Sequence, residues 1–301
     1  MLHSAASPDI LPLLTSWELA LRAERKSPQT VKAYTDGVRR FLDYCAAEGR
    51  PAVLDRPTVN GFVGALLAAD AAPATARARQ LAVRRFSAWL VEEGEADQDR
   101  LLGLKAPQLD TKVIEPLTDD QLRAMLKACA GRDLRERRDE ALIRLMAETG
   151  VRAGEVAVLA LADVNLTTGT AIVRRGKGGK GRSVPFGPQT ALAIDRYIRV
   201  RRTHRLAASP ALWLGDRGKP FAYDGLHASL KHRAALAGVD GFHPHRLRHT
   251  AAHRWLAAGG SEGGLMAVAG WTRPDMLLRY TKAQASVRAA DEARTLNLGE
   301  L

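Results

Sequence analysis

Residues 149–155 read TGVRAGE and directly follow an amphipathic stretch with helical periodicity. Gly150 suits the left-handed turn that ends such a helix, because glycine has no Cβ to oppose a positive φ. Arg152 and Glu155 lie three residues apart at the start of the next predicted helix, so they share one of its faces. An arginine there can direct its planar fork at a phosphate while the glutamate fixes neighbouring donors. The same spacing also occurs in ordinary surface ion pairs.

Two short strands are predicted downstream, at residues 169–173 and 182–186, on either side of the glycine- and lysine-rich turn 176–181. The glycines would let this turn approach a nucleic-acid backbone closely, and Lys177 could reach a phosphate from it. The further candidates for DNA contact in and beside the turn are Arg174, Arg175, Lys180 and Arg182. The turn is not a Walker A loop, because that motif opens a helix. A mobile basic hairpin tip is the alternative interpretation.

The segment HPHRLRHTAAH, residues 243–253, predicts a helix that begins after Pro244 and carries His245 and Arg248 on one face. A metal site is the competing interpretation, since histidines recur at i, i+4 and i+8. These are His245, His249 and His253. Because the HExxH pattern is missing and the segment holds no Asp, Glu or Cys, no metal is predicted.

The segment AGWTRPDMLLRYTKA, residues 269–283, places Trp271 nine residues before Tyr280. A tyrosine on an amphipathic helix is usually a half-buried core residue. Cations and hydrogen-bond donors beside a phenol favour the phenolate, which is a nucleophile. The basic residues upstream therefore make Tyr280 a candidate for attack on phosphorus.

The first hundred residues predict four helices, with apolar residues at helical spacing over 11–21 and 31–45 and further helices near 56–67 and 74–91. The stretch 94–116 lacks periodicity and carries two prolines, which is typical of a linker. The helices predicted after it cover residues 118–130, 138–149, 154–161, 188–204, 223–237, 245–258, 262–269, 274–282 and 284–296.

The formal net charge is +12, and it is unevenly distributed. Residues 1–109 carry 14 Lys and Arg against 13 Asp and Glu, whereas residues 110–301 carry 31 against 20. Clustered cations favour a polyanionic partner, although a basic solubilising surface is the alternative. Two unpatterned cysteines argue against a disulfide framework or a zinc site, and no segment approaches the apolar length of a membrane span. We therefore expect a cytoplasmic protein with access to DNA and no membrane association.

The order of these motifs resembles the tyrosine recombinases, also called the phage integrase family, and in layout the Xer-like two-domain members. The resemblance implies a mostly α fold with a small β-sheet, in which an N-terminal four-helix-type core-binding domain precedes an α+β catalytic domain. We expect the helical DNA-binding domain at residues 1–105, a linker at 106–116, and the catalytic domain with a C-terminal helix at 117–301.

Residue by residue, the resemblance implies that Tyr280 is the nucleophile and forms a 3′-phosphotyrosine. Arg152 and Arg248 would bind the scissile phosphate with help from His245, and Lys177 would be the general acid, ahead of Lys180. Trp271 stands where many members have His. Glu155 matches the family's acidic position, whereas Gly154 replaces a serine of the family motif, so the local helix start is expected to differ slightly.

The same resemblance implies site-specific recombination without cofactor or metal, on double-stranded DNA with paired recombination sites. A homotetramer on DNA is expected, associated with the nucleoid when bound, and the need for a second recombinase stays open. Two other interpretations are a type IB topoisomerase and a non-catalytic DNA-binding protein with the same fold. The complete set of candidate residues argues against the last, because a protein that only binds DNA has no need of Tyr280.

Overall fold

The computed structural model describes residues 10–109, 114–174, 181–216, 218 and 220–273, together with Leu277 and Arg294. The chain divides into two compact units, Met1–Lys112 and Val113–Leu301. The predicted fold class, mostly α with a small sheet, is confirmed. The finer domain limits of 1–105, 106–116 and 117–301 stay a prediction. No helix among the described residues has both the length and the apolar character that a membrane span requires.

The described residues of the first unit, 10–109, form four helices, each close to its predicted position. They are α1 (Ile10–Ala23), α2 (Pro28–Ala47), α3 (Arg56–Ala68) and α4 (Pro73–Glu92). Two of them begin at side-chain caps, because the Ser27 hydroxyl accepts from the Thr30 amide at 3.1 Å and the Asp55 carboxylate from the Thr58 amide at 2.9 Å. Each such cap stabilises a helix by about 1 kcal/mol.

Part of the stretch interpreted as linker, 94–116, packs onto this first unit instead. Leu101 and Leu104 are buried in its core, and the Asp99 carboxylate accepts from the Ser87 hydroxyl at 2.6 Å. The sequence signal was correct about irregular backbone. It could not show that two isolated leucines anchor that backbone, because two apolar residues define no periodicity.

The second unit surrounds a small sheet with seven helices in the described residues. The helices are α5 (Asp119–Lys127), α6 (Leu134–Thr149), α7 (Ala153–Ala157), α8 (Pro188–Arg201), α9 (Tyr223–Leu236), α10 (His245–Ala257) and α11 (Glu262–Ala269). The helices predicted at 274–282 and 284–296 lie outside the described residues, apart from Leu277 and Arg294.

The sheet has three antiparallel strands in the order β1 (Val164–Asn165), β2 (Thr170–Val173) and β3 (Arg182–Pro185). The two predicted strands are β2 and β3, and Val173 pairs with Arg182 where they meet the turn. Strand β1 was not predicted, because two residues are too few to show strand alternation.

Two helix limits differ from the prediction for identifiable reasons. Helix α6 begins at Leu134 rather than 138, because the charged run before Arg138 hid its periodicity; Arg138 itself is buried in an ion pair with Asp139. Helix α7 ends at Ala157 rather than 161, because the chain then pairs with residues 210–212. A tertiary contact therefore replaced the local helical preference.

Candidate active site

Helix α6 ends in a left-handed glycine that turns the chain toward α10. Gly150 has φ 64°, and a Cβ built on it would lie 3.2 Å from the Cβ of Ala251 on α10. The absence of a side chain therefore serves both the turn and the close approach of the two helices. Two residues later, Arg152 is the extended N-cap of α7 and lies beside α10.

Arg248 projects from α10 and is almost completely buried, with 2% of its surface exposed. One of its Nη atoms donates to the Gly150 carbonyl and the other to the Ala269 carbonyl at 2.8 Å. Its Cζ lies 5.1 Å from the centre of the buried Trp271 ring, in cation–π contact. These contacts fix the orientation of the guanidinium.

Three hydrogen bonds fix the position of Arg152. Its backbone N–H donates to Oε2 of Glu155 at 3.0 Å, its Nη1 to Oε1 of the same carboxylate at 3.0 Å, and its Nη2 to the Gly270 carbonyl at 3.1 Å. Gly270 is the left-handed glycine that ends α11. The predicted relation between Arg152 and Glu155 is therefore an actual contact, and Glu155 also caps the first turn of α7.

A second arginine, which lies in the sheet, also donates hydrogen bonds to Glu155. Arg182, the first residue of β3, donates to both carboxylate oxygens, at 3.1 Å to Oε1 and 2.7 Å to Oε2. Burial alone would raise the pKa of the Glu155 carboxyl, but the hydrogen bonds and charges of Arg182 and Arg152 outweigh burial and lower it below its ordinary value. The glutamate is therefore ionised across the neutral pH range.

Three consecutive backbone carbonyls at the end of α11 each accept from a different arginine. Val268 accepts from Arg182 Nε at 2.9 Å, Ala269 from Arg248 and Gly270 from Arg152. The C-terminal end of a helix carries partial negative charge, which favours cations there. The last turn of α11 thus brings together arginines from a strand, from α10 and from the start of α7.

Arg152, His245 and Arg248 line one small cavity of about 190 Å³, an arrangement that the family resemblance implied. His245 is the first residue of α10. Its ring packs edge to face against the ring of His249, with the two ring centroids 4.8 Å apart. Burial, followed by the charges of His245 and its neighbours, lowers the pKa of His249 to about 4. Within the described ranges, no group of three or more His, Cys, Asp or Glu could hold a metal ion.

Tyr223 also lines this cavity, although it is not among the predicted site residues. It is a half-exposed residue at the start of α9. No local signal marks it, because only the packing of α7 against α9 brings Tyr223 near Arg152.

The remaining candidates divide into two groups. Arg174 ion-pairs with the Asp163 carboxylate while 66% of its side chain stays exposed, whereas only 13% of the Arg182 side chain is exposed. Four predicted residues lie outside the described residues, namely Arg175, Lys177, Lys180 and Tyr280.

Two family models match the chain in its two units. Residues 115–286 match the phage integrase family, and residues 14–94 match the phage integrase N-terminal SAM-like domain.

The chain belongs to the phage integrase family.

It is a site-specific recombinase, as its curated relatives indicate. The tyrosine recombinase XerC of Mesorhizobium japonicum is 32% identical over 267 residues, which cover 85% of each protein.

Solved structures show the same fold at low sequence identity. A Tn1549 transposon integrase in complex with transposon right end DNA matches with a TM-score of 0.73 and 16% identity, over 94% of this recombinase and 99% of that chain. A lambda integrase tetramer bound to a Holliday junction matches with a TM-score of 0.67 and 14% identity, over 88% and 77%. The resemblance to Xer-like recombinases noted in the sequence is confirmed.

Proposed function

We propose that this recombinase cleaves and rejoins double-stranded DNA through a 3′-phosphotyrosine on Tyr280. The observation that carries the proposal is the convergence of Arg152, His245 and Arg248 on one cavity. Two guanidinium groups that line the same cavity can hold the non-bridging oxygens of a phosphodiester and stabilise the charge that develops on them during displacement. His245 assists in phosphate binding and proton transfer.

In the proposed reaction the phenol of Tyr280 gives its proton to the His245 imidazole, and the phenol oxygen forms a bond to phosphorus. The bond between phosphorus and the 5′ oxygen breaks, and Lys177 supplies the proton that the leaving oxygen takes up. Trp271 packs against Arg248 and keeps its fork in place. Rejoining reverses these steps with a 5′-hydroxyl as nucleophile. Because the phosphotyrosine retains the energy of the phosphodiester, the cycle needs neither nucleotide nor metal.

We further propose that the recombinase acts as a homotetramer on two recombination sites. The solved tetramer of the same fold on a four-way junction supports this assembly. The exposed Arg174, together with Arg175 and Lys180, would contact the DNA backbone, and the excess positive charge of residues 110–301 favours that partner. Such a protein would work in the cytoplasm, at the nucleoid. Whether it requires a second recombinase is a matter for reconstitution.

The decisive experiment is the substitution Tyr280→Phe, tested with a nicked suicide substrate that traps the covalent adduct. We expect DNA affinity within about threefold of wild type, because one hydroxyl adds little to a large phosphate interface. No covalent adduct should form, since the nucleophilic oxygen is gone. An adduct that persists in the Tyr280→Phe protein would refute the assignment, and mapping the linked peptide would then identify the true nucleophile.

A further inference from the structure

Arg182 lies at the start of β3 and points into the protein rather than toward a ligand. All three of its nitrogens donate hydrogen bonds, two to Glu155 and one to the Val268 carbonyl. Only 13% of the side chain is exposed. Arg152 and Arg248 line the cavity described above, whereas Arg182 is not among the described residues that line it, and both of its Nη atoms donate to Glu155.

The space around Arg182 is closely fitted. A Cβ built on Gly270 would lie 2.8 Å from the Arg182 Cζ, closer than side chains pack. Gly270 also has φ 64°, so two independent requirements place glycine there. The guanidinium therefore contacts the main chain at the end of α11, where the Val268 carbonyl accepts from it. The next two carbonyls in the chain, of Ala269 and Gly270, accept from Arg248 and Arg152.

Glu155 connects Arg182 to Arg152. Each oxygen of this carboxylate, which is 8% exposed, accepts one hydrogen bond from each arginine. Without Arg182 the buried carboxylate would keep only the Arg152 donors. A buried charge that loses half of its partners is strongly destabilised, so it would draw the Arg152 fork closer to itself. That fork would then turn away from the cavity.

We propose that Arg182 is a positioning residue, which holds Glu155 and the end of α11 so that the Arg152 guanidinium stays directed at the scissile phosphate. The proposal rests on the function proposed above, and it replaces the DNA contact expected for Arg182 from the sequence. Arg182 acts on the reaction through Glu155 and Arg152 and does not touch the DNA.

The first test is Arg182→Lys, which keeps the charge but cannot donate to both oxygens of Glu155 and to Val268 together. The rate of adduct formation at saturating nicked DNA should fall on the order of 10- to 100-fold, as expected for a misplaced catalytic group. DNA affinity should stay within about threefold of wild type, since the positive charge remains. A loss of affinity at an unchanged saturated rate would overturn the proposal and restore the direct DNA contact.

The matched control is Arg201→Lys. Arg201 is more deeply buried than Arg182, with 2% of its surface exposed, and it donates to the carbonyls of Ala207, Ser209, Ala211 and Leu212, none of which lines the cavity. We expect this variant to melt at lower temperature while its adduct rate per folded molecule equals that of wild type. If Arg182→Lys behaves in the same way, Arg182 is merely structural and the proposal fails.

A second readout uses a scissile methylphosphonate, in which a methyl group replaces one charged oxygen. A neutral phosphorus centre has less need of a guanidinium, so the deficit of Arg182→Lys should shrink on this substrate. A deficit of unchanged size would show that the defect does not pass through phosphate binding and would overturn the proposal.

The order of action is tested by adding Arg182→Lys to Glu155→Gln. Since Arg182 acts through Glu155, the second substitution should cost less than about threefold beyond the first. Deficits that multiply would contradict the proposed order. Wild-type protein that forms no adduct at all would instead refute the proposed function, so the two failures can be told apart.

Discussion

Arg248 and Arg182 show how two buried arginines in one site can serve different ends. The Arg248 fork donates to the carbonyls of Gly150 and Ala269, and Arg248 lines the cavity together with Arg152. The Arg182 fork instead donates to the Glu155 carboxylate, which also binds Arg152, and we have proposed a positioning role for it. Residue type alone therefore does not distinguish a phosphate ligand from a positioning residue.

Lys177 is predicted to protonate the leaving 5′ oxygen. We expect Lys177→Ala to slow cleavage of ordinary DNA by about 10²- to 10⁴-fold, the usual contribution of a general acid. A substrate with sulfur at the 5′ bridging position should restore the rate, because a thiolate leaves without a proton. Rates of adduct formation on the two substrates test this, with Lys180→Ala as the control that should need no rescue. If sulfur restores nothing, Lys180 becomes the next candidate for the acid.

Among the secondary-structure elements, the ends of three helices, α6, α7 and α11, supply the backbone groups and one of the arginines of the site. Helices α6 and α11 both end in a left-handed glycine, and the carbonyl of each glycine holds an arginine that projects from elsewhere. Helix α7 begins at Arg152 itself. Helix termini leave backbone groups without partners inside the helix, so they offer fixed acceptors and donors to side chains.

Replacing either of two glycines near the start of α7 by alanine should change the free energy of unfolding, in opposite directions at the two positions. Gly154→Ala should raise the free energy of unfolding by about 0.4–1 kcal/mol, because a Cβ there meets open space and the unfolded chain loses freedom. Gly150→Ala should lower it by at least about 1–2 kcal/mol, since it requires a positive φ and crowds Ala251. Urea unfolding of both variants measures this. Equal effects would mean that backbone conformation does not govern these positions.

The buried histidine of α10 predicts sensitivity to acid. The folded pKa of His249 is about 4 against an ordinary value near 6.5, so between those values the unfolded chain binds a proton that the folded chain excludes. Stability should therefore be unaffected by His249 above pH 6.5 and fall by up to about 3 kcal/mol as pH drops toward 4.

Urea unfolding of wild type and His249→Gln across this range isolates the effect of His249, because the lowered pKa values of His243 and His253 and that of Glu155 contribute to both proteins. The substituted protein should show a flatter dependence on pH. Parallel curves for the two proteins would mean that His249 titrates normally in the folded state.

For the whole molecule, the charge distribution makes a prediction about binding. Residues 110–301 carry most of the net charge of +12, so counterion release should dominate the affinity for DNA. Affinity for non-specific duplex should fall on the order of 10³-fold between about 50 and 200 mM salt, as for a protein with several phosphate contacts. Fluorescence anisotropy over a salt series measures the slope. A nearly flat series would mean that the basic residues face away from the bound duplex.

The sequence predicted the helices of the described residues, two of the strands and the shared face of His245 and Arg248, because each rests on spacing within a short segment. Only the family resemblance placed Arg152 beside them. It could not predict contacts between distant segments. The carbonyls that hold the arginines, and the approach of Tyr223, depend on packing over roughly a hundred residues. For the same reason the hydrogen bonds between Arg182 and Glu155 could not be predicted, since a basic residue beside a basic turn gives no sign of a buried glutamate partner.

The acceptors at the end of α11 are main-chain atoms, and this has an evolutionary consequence. A codon change at Val268 or Ala269 replaces a side chain but leaves the oxygen that receives the arginine. The arginine contacts therefore place no demand on the side chains of Val268 and Ala269, whose variation is limited by core packing alone. Of the three acceptor positions, Gly270 is the one whose residue type is fixed by its backbone geometry and by the closeness of Arg182.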